Sequence, residues 1–144
     1  MRFLTLASCA LFALPLAAEA KNCRGIQSLD LGGGSKACVV AIEKNAITTK
    51  RTRDDGASSS SQRNVQPLVG AIMSGPVPAN RNVIKKQMIA MCKATQAQVK
   101  AEFPGLKYSR TILVMDWSKV GGKLESGYSS AKCKGFSFFG NVRY

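Results

Sequence analysis

Glu102 lies eight residues before Arg110 in AEFPGLKYSRTILVMDW, residues 101 to 117. A carboxylate can take a proton from a hydroxyl and a guanidinium can hold a phosphate, so the two have the composition of a base and an anion clamp. Just upstream, Lys86, Lys93 and Lys100 recur every seven residues. On a helix that spacing keeps them in one stripe, which drifts only about 20° per heptad. No Asp or Glu lies between Arg81 and Ala101, so the stripe has no carboxylate neighbour within its own helix and could track a row of phosphates. It could equally be a solvated helix face. Glu102 and Arg110 have a plain reading too, as a helix-end glutamate and a strand-end arginine beside Asp116. The chain has no histidine, which removes the usual base of serine and cysteine hydrolases. Cys23, Cys38, Cys92 and Cys133 include no C-x-x-C pair, so neither a metal site nor a cofactor is expected.

The elements that carry these groups begin after residue 20. MRFLTLASCALFALPLAAEA has an early arginine, a dense apolar run and a small-residue end, the pattern of a secretory signal peptide occupying residues 1–20. The run from Phe3 to Ala18 is shorter than the about 20 apolar residues a spanning helix needs, so no stable membrane insertion is expected. Residues 21–144 suffice for one secreted domain, periplasmic if the source is bacterial. Four cysteines in an oxidising compartment read as two disulfides, with three possible pairings. Arg2 and Glu19 cancel, so the mature chain keeps the net charge of +13. Such an excess favours an anionic partner, RNA or an acidic protein surface, and the protein is expected to be a monomer.

Within that domain, ACVVAI (37–42) and AITTK (46–50) are β-branched runs around Glu43-Lys44-Asn45, which reads as a hairpin turn. KRTRDDGASSSSQRN, residues 50–64, is almost without apolar residues and reads as a mobile surface loop. Its Lys50-Arg51 is a dibasic pair that a processing protease could cut. VQPLVGAIM (65–73), broken by Pro67 and Gly70, reads as an edge or irregular strand. Asn80 is a good N-cap and Pro104 a stop, and between them Ile84, Met88, Met91, Cys92 and Val99 share one helical face. From Leu106 to Trp117 the residues alternate, with both faces apolar in the middle, so this reads as a central strand buried on both sides. Residues 123–129 and 131–139 supply a return and a last strand. The fold class is α+β: one long helix packed on an antiparallel sheet of four to five strands, stabilised by disulfides.

One local pattern resembles a known family, the secreted microbial ribonucleases that prefer guanine, with their ribotoxin and fungal-effector relatives. They often carry a catalytic glutamate in Glu-(Phe/Trp/Tyr)-Pro, then an arginine at the start of the next strand, a glycine eleven residues on, and a histidine four further. This chain has Glu102-Phe103-Pro104, Arg110 and Gly121, with Glu125 where the histidine would stand. The resemblance covers residues 101–136, the loop from glutamate to arginine is shorter than in the family, and the histidine is absent. It implies a tie between the chain ends, Cys23 to Cys133, with Cys38 to Cys92. Without that layout, Cys92 to Cys133 is the better pairing.

RNA transesterification needs a base, an acid and a cation for the phosphorane. Glu125 cannot replace a histidine as the acid, because an ordinary glutamate is ionised at neutral pH. The resemblance therefore implies a scaffold that binds without cutting: a secreted, basic, effector-like or toxin-like protein contacting RNA or an acidic protein through Lys86, Lys93, Lys100 and Arg110. Two alternatives stand beside it, an atypical ribonuclease using Glu102 and Arg110, and a bacterial periplasmic accessory protein.

Overall fold

A computed structural model describes residues 23–52, 59–128 and 131–139. The segment read as a signal peptide lies outside the described residues. The chain runs β1 (Gln27–Asp30), β2 (Lys36–Thr52), β3 (Ser59–Ser74), α1 (Arg81–Glu102), β4 (Ile112–Trp117), a 3-10 turn (Ser118–Val120), β5 (Gly122–Tyr128) and β6 (Phe136–Phe139). The strands form one sheet in sequence order, β1-β2-β3-β4-β5-β6.

Every junction is antiparallel except β3 to β4, which pair in parallel from Leu68↔Ile112 to Ile72↔Asp116. The α+β class with one long helix on a disulfide-stabilised sheet stands, while the sheet is mixed and has six strands rather than an antiparallel four to five. The cause is α1 itself. A hairpin reverses the chain, whereas a 22-residue helix, about 33 Å long, carries it back along the sheet before the next strand starts.

α1 begins where Asn80 Oδ1 accepts the amide of Asn82 at 2.8 Å, satisfying one of the donors a helix start leaves unpaired. It ends where Phe103 N donates to the Val99 carbonyl, just before Pro104. Its inward stripe of Ile84, Met88, Met91, Cys92, Thr95 and Val99 meets one face of the sheet. Val39, Val69, Ala71, Met73, Leu113, Met115, Trp117 and Leu124 complete this single core. Thr95 avoids leaving a buried hydroxyl unpaired by donating to the Met91 carbonyl at 2.8 Å.

Three features differ from the sequence reading. β2 runs through Glu43-Lys44-Asn45 without turning, and 50–52 and 59–64, expected as loop, belong to strands, while the rest of that expected loop, 53–58, lies outside the described residues. Polar, threonine-rich and serine-rich sequence can still be strand where a two-stranded ribbon is solvated and its ladder supplies the hydrogen bonds. The side chains of Lys50 and Arg51, the dibasic pair, also lie outside the described residues. β3 is a central strand paired on both sides, not an edge, with Pro67 placed immediately before its pairing with β4 begins. The alternation read from Leu106 becomes strand only at Ile112. Leu113, Met115 and Trp117 are buried, but Ile112, Val114 and Asp116 are only half-buried, because α1 covers one face alone.

Cys23 pairs with Cys38 and Cys92 with Cys133, with Cα atoms 5.4 and 5.8 Å apart. The pairing implied by the ribonuclease resemblance, Cys23 to Cys133 with Cys38 to Cys92, is not formed. The observed bridges tie β2 to the segment before β1, and the middle of α1 to the residues before β6.

Candidate anion-binding groove

β2 and β3 stay paired as far as Thr52↔Ser59, yet β4 accompanies β3 only from Leu68 onward. The ribbon therefore leaves the sheet with one side of β3 uncovered by β4. Next to that side runs the connection from α1 to β4, turned by Gly105 at φ 79° and held by Leu106 N donating to the Phe103 carbonyl at 3.2 Å. Glycine suits this position because its backbone is left-handed.

Between the two lies an open groove of about 590 Å³, lined by Arg63–Gln66 of β3 and by Lys107, Tyr108 and Ser109. Arg63 and Lys107 are exposed, and Tyr108 is half-buried with its ring packed on the core. Gln66 is 6% exposed, and its Oε1 has no hydrogen-bond partner. No carboxylate lines the groove. Two cations thus share this open groove with a half-buried aromatic and a buried amide, without a counter-charge among the lining residues, so the local potential is positive. Such a set can hold an anion between the cations, support a planar ring against Tyr108, and offer an amide edge for hydrogen bonding.

The residues singled out from sequence do not converge here. Glu102, exposed, closes α1, and Arg110, exposed, sits between Ser109 and the start of β4. Lys86, Lys93 and Lys100 are exposed on the outward side of α1. Glu125 lies on β5 opposite Val114, with its carboxylate 3.1 Å from the Lys123 ammonium. None of these lines the groove. Lys107 and Tyr108 lie between Glu102 and Arg110, but Arg63 was hidden in what read as a loop. An acid-free basic and aromatic run, LKYSR, was the available signal.

Among the described residues, no group of three or more His, Cys, Asp or Glu could hold a metal ion, and no helix is long and apolar enough to cross a membrane. No family model matches the chain, and neither a curated protein nor a solved structure matches it significantly.

Proposed function

We propose that the protein is an exported, effector-like binder of single-stranded RNA that acts without cutting it. The observation that carries this reading is the convergence of Arg63, Lys107 and Tyr108 in a groove without carboxylates. A backbone phosphate is held between the two cations and its base stacks on Tyr108, the combination by which grooves bind single strands with little sequence preference. Gln66 adds an amide that can pair with a base edge. The net charge of +13 and the helix lysines Lys86, Lys93 and Lys100 supply long-range attraction, with Arg110 and Lys100 flanking the groove in sequence and at the helix end. Two disulfides suit a protein working in an oxidising compartment.

The test is fluorescence anisotropy with a short labelled RNA strand across a salt series. For single strands the log-log slope is about 0.7 per phosphate contact, so the Arg63→Gln/Lys107→Gln double variant, which releases the one phosphate held between the two cations, should flatten the slope by about 0.7. Tyr108→Ala should weaken binding by about 1–3 kcal/mol while Tyr108→Phe keeps most of it. The RNA should remain intact, and Glu102→Gln should bind as the wild type does. An unchanged slope in the double variant, or equal behaviour of Tyr108→Ala and Tyr108→Phe, overturns the reading.

A further inference from the structure

β3 and β4 carry apolar residues on both of their faces, the pattern of strands covered on two sides, yet α1 covers only one. On the other face Val40 and Ile72 are 43% and 47% exposed, and Leu68, Ile112 and Val114 are half-buried without joining the core. The register gives three of these apolar residues a carboxylate as cross-strand neighbour: Leu68 pairs with Glu43, Ile72 with Asp116 and Val114 with Glu125. In the middle, Gly70 has no side chain and its partner Ala41 only a methyl, which leaves a shallow recess between Leu68, Ile72 and Val114.

Charge decides what can cover this face. Lys123 is held by Glu125 at 3.1 Å, and Lys36 stands across from Asp30. By alternation and register, four carboxylates, Asp30, Glu43, Asp116 and Glu125, meet two lysines here, a balance of −2 on a chain of net charge +13. RNA, an anionic bilayer and the same face of a second copy are therefore all repelled. The complement is a surface with apolar side chains in its middle and cations at its margins. A basic amphipathic helix presents that surface: apolar anchors at i, i+3, i+4 and i+7, flanked by lysines whose methylene stems lie over Leu68, Ile72 and Val114 and whose ammoniums reach the neighbouring carboxylates. We propose that this sheet face docks a basic amphipathic helix of another protein, so that the sheet carries a helix on each side. The proposal does not depend on what the groove binds. Three strands at about 4.8 Å spacing and five residues at about 3.3 Å give an apolar centre on the order of 14 by 16 Å, the footprint of about three helical turns. So small a contact is reversible and of micromolar strength or weaker.

The test is a titration of the methyl-labelled wild type with a synthetic amphipathic helix of leucine and lysine, and separately with its leucine-glutamate and serine-lysine counterparts. With the first peptide the methyl resonances of Leu68, Ile72, Ile112 and Val114 should shift and saturate, while those of Val83 on α1 and Val120 in the 3-10 turn stay fixed, a readout that needs no variant to fold. Glu43→Lys puts a like charge where the peptide's lysine docks and should weaken binding about tenfold. Val83→Gln and the groove variant Arg63→Gln/Lys107→Gln should bind the peptide as the wild type does, so loss of RNA binding and loss of peptide binding are separate results. The proposal is overturned by fixed methyl resonances on this face, by either counterpart binding there as tightly, or by an unchanged affinity in Glu43→Lys. Shifts of the same methyls with RNA, with anionic vesicles, or with protein concentration alone would overturn it too, by giving the face a different occupant.

Discussion

Lys44 of β2 holds its ammonium 5.1 Å from the centre of the Phe103 ring, so the base of the ribbon is fastened to the residue that ends α1. Lys44 pairs with Pro67 of β3 and Phe103 precedes Lys107 by four residues, so the contact links the supports of the two groove walls. A cation over an aromatic face at a partly exposed site contributes about 0.5–1 kcal/mol. A double-mutant cycle of Lys44→Gln and Phe103→Leu, read by urea unfolding, should give a coupling energy of that size. A coupling of zero would leave the ribbon and the helix end independent.

The lysine stripe and the groove should separate by ionic strength. Replacing Lys86, Lys93 and Lys100 by glutamine removes attraction that acts at a distance, so RNA association should slow at low salt and converge on the wild type near 0.5 M, where the Debye length falls to about 4 Å. The Arg63→Gln/Lys107→Gln variant removes contacts, so its defect should persist in dissociation rates. Stopped-flow binding at two salt concentrations distinguishes them.

Adjacent residues on β4 should differ sharply in stability. Leu113 is fully buried under α1, and truncation to alanine should cost about 2–5 kcal/mol. Ile112, one residue earlier and half-buried on the open face, should cost less than half of that. Denaturant unfolding of Leu113→Ala and Ile112→Ala measures the contrast.

How far the sequence carries is clearest at α1 and at Arg63. The helix was legible from Asn80 to Pro104, with Cys92 on its buried side, because capping and helical periodicity are local signals. Leu113, Met115 and Trp117 were legible as one face for the same reason. Arg63 was not, since its place beside Lys107 follows from the register of β2 with β3 and from the late start of β4, neither of which leaves a local pattern. The ribbon was hidden because its sequence is polar and rich in threonine and serine, and hydrophobic alternation is the usual sign of a strand. The parallel junction was implicit in a helix between two strands, but the surrounding hairpin signals suggested antiparallel pairing throughout.

The two disulfides close loops of different length, with separations of 15 residues for Cys23–Cys38 and 41 for Cys92–Cys133. In the chain-entropy account they stabilise by about 3 and about 4 kcal/mol respectively. Cys92→Ala/Cys133→Ala should therefore lower stability more than Cys23→Ala/Cys38→Ala, measured by guanidinium unfolding. A reversed order would show that the native contacts around Cys23, rather than loop closure, dominate.

Each of these bridges joins a cysteine to the next cysteine along the chain. A polypeptide oxidised as it emerges, N-terminus first, therefore meets its correct partners in the order in which they appear. The corner between β1 and β2 can lock before α1 has emerged, and the second bond waits only for β4, β5 and the residues before β6. Native cross-linking of these four cysteines can then proceed without an isomerase to reshuffle mispaired sulfurs.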